Sequence, residues 1–275
     1  MKYLIVNADD FGLSEAVNEG IIEAHLHGIV TCASLLTNVP AFSHACELAH
    51  KHPQLEIGFH ANLTSGRPVL PGELVPSLVD RNGRFFGLWT FACRCLAGLA
   101  SYRDIEKELT AQMQKAWGQK IFFTHIDGHH HIECLPVVAA VLVEMAKKKK
   151  IPFIRRIASP KRIGPWLPFF QQWALSLLQR RAPSGESAST DHFWGLELYR
   201  SKDKTAMLER LLCRLPDGIN ELMCHPGYDR SDVVATNYRT ERENELRALL
   251  HPRTKKLIET FGIQLASFSD IGLLT

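Results

Sequence analysis

No apolar run in this chain is long enough to cross a bilayer, which takes about 20 residues, so no membrane span is expected. Met1-Lys2 is followed by only four apolar residues, Tyr3 to Val6. That is well short of a signal-peptide core, and no secretory signal is expected. The glycine fingerprints of nucleotide sites, GxGxxG after the first strand and GxxxxGK(S/T), are both missing, which removes support for a nucleotide-binding fold. Repeated CxxC pairs are missing too. The seven cysteines are scattered and odd in number, and Cys93 and Cys95 sit too close to form a structural pair. They read as reduced thiols of a cytoplasmic protein. A net charge of +3 is too small to imply nucleic-acid binding. Internal repeats, low-complexity tracts and a convincing linker are absent, so residues 1–275 read as a single domain.

What the chain does have is an ordinary globular composition, 45% hydrophobic and 22% charged. Short apolar strands alternate with amphipathic helices. Strands are expected at 2–7, 29–36, 55–60, in "KIFFTHID", in "IPFIRR" and in "INELMCH". Helices are expected from Ser14, which is a good N-cap, and at 41–51, 102–117, 136–150, 201–213 and from Thr240. A helix–strand–helix unit closes the chain over 251–274. Repeated βα units argue for a parallel sheet covered by helices. The strand count over 275 residues favours an irregular (β/α) barrel of about seven parallel strands. A doubly wound open sheet is the alternative.

Reactive residues collect where strands end. Asp9 and Asp10 follow the first strand and His60 ends the third. His125, Asp127, His129, His130 and His131 follow the fourth, and His225 ends a late one. In a β/α barrel these ends share one face, where catalytic groups gather. Each has a plainer reading alone: a turn or cap for the aspartates, a satisfied buried histidine for His60, a strand cap for His225. Four histidines and an aspartate within 125–131 are harder to read that way, because imidazole and carboxylate suit divalent transition metals. With no cysteine inside the clusters, the site should use N and O ligands with open positions, as catalytic metals do.

The motifs "NADDFGLS", "GFHANLTSGRPV", "THIDGHHHIE", "STDHFWGL" and "CHPGY", in this order, resemble those of the YdjC-like carbohydrate deacetylases. The resemblance spans residue 2 to about 270. It implies a barrel related to the polysaccharide deacetylases and removal of an N-acetyl group from an acetylated amino sugar with one divalent metal. The substrate would be a chitooligosaccharide or, in a branch tied to hopanoid synthesis, an acetylated glucosaminyl lipid. By motif position it implies Asp10, His60 and His129 as metal ligands, Asp9 as general base and His225 as general acid. Asn62, His125, Asp127, His131 and Arg155 are expected to contact substrate or support the ligands, with Asp127 orienting an imidazole through its second nitrogen. Adjacent aspartates fit a division of labour in which one holds the metal and the other takes a proton from water. Two histidines and a carboxylate suit zinc; magnesium, cobalt, nickel and manganese stay open.

Residues 147–181 contain ten Lys and Arg and no Asp or Glu. Within them, 164–181 reads as an amphipathic aromatic helix, inside a variable insertion at about 157–190. Packing on the barrel or on a second subunit of a homodimer is the favoured reading. Peripheral contact with the inner membrane surface through 147–181, where a lipid-linked substrate would be met, is the other. A second aromatic stretch, "FFGLWTFACRCLAGL" at 85–99, reads as a lid, a substrate wall or core. Two rival functions remain: a metal-dependent phosphoesterase, weakened by few acidic ligands beyond Asp9, Asp10 and Asp127, and a sugar- or lipid-binding protein without turnover.

Overall fold

The structure is a computed structural model that describes residues 1–157, 175–177, 179, 188–230 and 238–272. Among the described residues eight parallel strands form one sheet: β1 (Lys2–Phe11), β2 (Cys32–Leu35), β3 (Glu56–Ala61), β4 (His125–Gly128), β5 (Phe153–Ile154), β6 (His192–Trp194), β7 (Gly218–Cys224) and β8 (Ile263–Leu265). The order is β5-β4-β3-β2-β1-β7-β6, and β8 pairs with the start of β1. The sheet curls until its edges nearly meet. Ala188 bridges Phe153 of β5, and a few residues on the chain becomes β6 and pairs with β7. The result is an irregular, almost closed β/α barrel rather than an open doubly wound sheet.

Side chains alternate along a strand, and that alternation separates two interiors. Leu4, Val6 and Ala8 of β1 face outward into the core between sheet and helices. Ile5 faces inward, with Cys32, Phe153, Phe268 and Ile271. Asn7 and Asp9 continue Ile5's inward row. Ser34, His60, His125, Asp127, Arg155 and Glu221 share that inner face, since their neighbours Leu35, Phe59, Ile126, Ile154 and Leu222 lie in the outer core. The barrel is therefore apolar at one end and polar toward the carboxyl ends of its strands. Gly58 leaves the room His125 needs, because a Cβ there would lie 2.2 Å from the imidazole Nε2.

The helices are α1 (Glu15–Leu26), α2 (Phe42–Lys51), α3 (Leu88–Leu96), α4 (Tyr102–Gly118), α5 (Pro136–Lys149), α6 (Leu196–Arg200), α7 (Lys204–Leu212), α8 (Arg239–Leu250), α9 (Pro252–Thr260) and α10 (Phe268–Gly272). Ser14 caps α1, its hydroxyl accepting from the Val17 N–H at 3.2 Å. Four local expectations change. β1 does not end at Asn7 but runs through both aspartates, with a register shift against β2 between Ala8 and Phe11. Residues 129–134 form a 3-10 turn in which His130 and His131 take left-handed φ of 61° and 56°. β6, only three residues long, lies in a stretch too short to show a period. The helix expected at 201–213 is α7, and a further short helix, α6, precedes it.

The basic stretch divides. Lys147, Lys148 and Lys149 fill the last turn of α5, where cations complement the helix dipole. Lys148 also pairs with Glu106 and Glu144. Most of the 164–181 helix lies outside the described residues. Of those described, Leu175 packs beside Cys134, Ile157, Phe193, Leu196 and Met223. Gln179 bonds the backbone of Arg155 and Ile157. Among the described residues no helix is long and apolar enough to cross a membrane.

Candidate active site

A cavity of about 370 Å³ opens at the carboxyl ends of the strands, and Asp9, Asp10, His60, His129, His131 and His225 all line it. Strict alternation would send Asp10 to the opposite face from Asp9. The register shift and a left-handed φ of 69° at Asp10 turn it back toward the same mouth. Non-glycine residues seldom hold that conformation, and such strain persists where the surroundings enforce it.

Asp10 Oδ1 lies 2.9 Å from His129 Nδ1 and 3.4 Å from His60 Nε2. It is buried and has no hydrogen-bond partner among the described residues. One atom each from Asp10, His60 and His129 lies within 4.8 Å of the others. An orphaned carboxylate oxygen facing two imidazoles is a donor set that fits a divalent cation. Burial alone would raise the Asp10 pKa. The charges of His129 and Arg242 outweigh it and hold the carboxyl well below the usual carboxylate range.

Beneath these three residues lies a buried polar layer. His60 Nδ1 donates to Asp127 Oδ1 at 2.7 Å, which aims Nε2 at Asp10. Burial opposes a charge on His60, but Asp127 and Asp10 beside it hold the imidazole well above its ordinary pKa. Arg155, 2% exposed, donates to both oxygens of Asp9 at 2.7 and 2.8 Å. It also pairs with Asp127 at 2.8 Å and Glu221 at 2.6 Å. It is thus a tie between the Asp9 and Asp127–His60 arms, not a substrate contact. Burial pushes the Glu221 carboxyl up to about 7, against the pull of Arg155. Asn7 donates to Asp9 Oδ1 at 2.8 Å and accepts from His125 Nε2 at 2.9 Å.

The remaining expected positions fall apart from one another. His125 is 1% exposed, stacks on Phe268 at 4.0 Å and stays below the cavity. Burial pushes its pKa down to about 4. Asn62 also misses the cavity; its side chain accepts from the Thr64 and Ser65 N–H groups and braces that loop. His131 lines the cavity and lies 3.2 Å from Glu133. His225 presents its ring to the cavity with Nδ1 buried and unpartnered among the described residues. Its backbone N–H donates to Glu245 at 2.6 Å. Burial pushes its pKa down, while Glu245, Asp10 and Asp9 pull the other way. In the 85–99 stretch, Phe85 and Phe91 are core, whereas Leu88 and Trp89 form a wall of the cavity.

Several residues of the site escape sequence reasoning. Asn7 shares strand parity with Asp9, a usable signal. Arg242 and Glu245 sit in "TERENEL", which reads as a solvated helix face. Their spacing with Leu246 and Leu249 is the one clue that they point inward. Glu221, Tyr199 and Tyr238 carry no local signal.

Comparison with known proteins gives a consistent result. The family model described as YdjC-like protein matches residues 3–260. A carbohydrate deacetylase of Brevibacillus brevis is 35% identical, covering 98% of this chain and 99% of that protein. One of Geobacillus stearothermophilus is 36% identical, covering 98% of each. A chitooligosaccharide deacetylase of Yersinia enterocolitica is 36% identical, covering 98% and 99%. Among solved structures, a candidate cellobiose-phosphate cleavage protein of Enterococcus faecalis superposes with a TM-score of 0.83 at 29% identity, covering 98% of both chains. A CE4 family pseudoenzyme from Bacillus anthracis, at 9% identity and TM-score 0.51, covers 96% of this chain and 64% of that one and shares the fold alone.

Proposed function

The chain belongs to the YdjC-like protein family, and from that premise we propose that it is a metal-dependent carbohydrate deacetylase that hydrolyses the N-acetyl group of an acetylated amino sugar. The observation that carries the reading is the convergence of Asp10 Oδ1, His60 and His129 beside Asp9 and His225 in one cavity. Relatives named carbohydrate and chitooligosaccharide deacetylases support the substrate class. Asp10, His60 and His129 would hold one divalent cation, zinc or magnesium. Bound there, the cation polarises a carbonyl and makes water a nucleophile at neutral pH.

The protein's own groups do the rest. Asp9 accepts the proton of the attacking water. Its Oδ1 already takes bonds from Asn7 and Arg155, whereas Oδ2 takes one from Arg155, so Oδ2 keeps a lone pair for that proton. Arg155 fixes the orientation of the carboxylate. His225 gives a proton to the departing amine from Nε2, the ring nitrogen left to face the cavity. The cavity takes a sugar ring with its acetamido group, and Trp89, 82% exposed at the rim, offers an apolar face to a following sugar or an attached lipid.

A phosphoesterase with two metals is the weaker reading. The second candidate ligand group, Asp9, His60 and Asp127, shares His60 with the first. Arg155 already bonds both of its carboxylates, filling with a fixed cation the place of a second metal. The test is acetate release from N-acetylglucosamine oligomers and acetylglucosaminyl lipids under several added metals, with phosphate esters alongside. Phosphate released with no acetate from any substrate reverses the ranking. Asp10→Ala and His60→Ala should lose bound metal as well as turnover.

A further inference from the structure

Arg242, on the first turn of α8, is 3% exposed, and Asp10 is its only ion-pair partner among the described residues. Its Nη2 donates to Asp10 Oδ2 at 2.5 Å. Its Nε and Nη1 are buried and have no hydrogen-bond partner among the described residues. A guanidinium is always charged, and burying one with donors unmet is costly. The contact that remains is to a carboxylate whose other oxygen faces His60 and His129. The two oxygens of Asp10 are thus divided. Oδ1 is turned, unpartnered, to the imidazoles, and Oδ2 is covered by Arg242.

A carboxylate can give a metal one oxygen or two. With two, Asp10, His60 and His129 would fill four positions, the full set of a closed structural site. With one they fill three and leave room for water and a carbonyl. We infer that Arg242 is a positioning residue that holds Asp10 to a single oxygen on the metal, and so keeps the coordination sphere open. The left-handed backbone at Asp10 fits this: the strained turn aims the carboxylate, and Arg242 fixes its rotation. The same helix steadies His225, through Glu245 one turn on. The inference rests on the metal centre proposed above and is independent of the substrate.

Cobalt(II) is the probe, because its visible absorption weakens as its coordination number rises. Arg242→Met should bind one cobalt ion at least as tightly as the parent protein, absorb more weakly, and lose tenfold or more in kcat. Arg242→Lys, which keeps a charged donor near Oδ2, should restore most of the absorption. Unchanged absorption in folded Arg242→Met would overturn the inference. So would a tenfold or greater loss of cobalt affinity, since the arginine would then merely build the site. Should Arg242→Met not fold, X-ray absorption and crystallography of the cobalt-loaded parent decide. One Asp10 oxygen on cobalt supports the inference, and two overturn it. A parent protein that takes up no cobalt removes the metal centre and the inference with it, a result distinct from cobalt bound with unchanged absorption in the variant.

Discussion

At the residue scale the site depends on carboxylates that are each given a different environment. Asp9 is held by Arg155 and Asn7 with one lone pair of Oδ2 left over, and Asp10 is split between Arg242 and the histidines. Asp127 serves His60. Like charges this close would repel, and the two arginines offset them before any metal arrives. Asp9→Asn should therefore reduce turnover roughly a hundred- to ten-thousand-fold, the span of a general base, while bound metal stays at one per chain. Full turnover in a metal-replete Asp9→Asn protein would remove the base assignment. His125 gives a pH prediction. Asn7 Oδ1 can only accept, so His125 Nε2 carries the proton, and Nδ1 accepts from the Thr124 hydroxyl. Its folded pKa, about 4, lies below the unfolded value near 6.5. The folded state thus binds fewer protons between those values, and stability drains away as pH falls from 6.5 through 4. Urea melts at pH 7 and pH 5 should show the parent losing more stability than His125→Asn over that interval. Equal losses would mean that His125 is not held neutral.

At the element scale, function depends on how closely α1 approaches the loop after β7. A Cβ on Gly20 would lie 2.5 Å from the Gly227 Cα, two residues past His225. Gly20→Ala should cost about 1–3 kcal/mol by overpacking and should also shift the His225 loop, so kcat falls without loss of metal. Calorimetry and metal analysis on one preparation would check both, and a neutral substitution would show that the contact is slack. α3 was legible as an aromatic stretch that could be lid, wall or core, but the choice among these was not, because burial of Phe91 and exposure of Trp89 are decided by which face meets the barrel. Trp89→Ala should raise KM for an oligosaccharide about 3- to 10-fold, roughly 1 kcal/mol of lost stacking, with kcat and the monosaccharide little changed. Equal effects on both substrates would place the second sugar elsewhere.

At the scale of the whole molecule, the barrel holds its strands together at one end with an apolar plug and at the other with charged tethers. Arg155 of the β5 edge reaches Asp9 on β1, Asp127 on β4 and Glu221 on β7, and so bonds across the space between the sheet's edges. A cation bound to Asp10, His60 and His129 would add a link between β1, β3 and the turn after β4. Metal at a hundred times its Kd should stabilise the fold by about 2.7 kcal/mol. That is a rise of several degrees in Tm for a chain this size, reversed by a chelator. A melting temperature indifferent to every divalent metal tested would leave the centre without support.

The sequence alone determined the alternation of strands and helices, the N-cap at Ser14 and the collection of Asp and His at strand ends. These are local: an apolar run, a capping hydroxyl and a motif each show themselves within about ten residues. It also placed the pair Asp9-Asp10 at the centre of the site, and the motifs carried the family. Tertiary structure alone decided that Asp10 turns back to the side of Asp9, that Asn62 and His125 stay out of the cavity, that Arg155 braces Asp9 and Asp127 instead of meeting substrate, and that Arg242 is a buried counter-ion instead of a solvated charge. The reason is physical. Whether a charged side chain is buried depends on partners more than a hundred residues away, as Arg155 is from Asp9 and Arg242 from Asp10, and no local period records such a pairing.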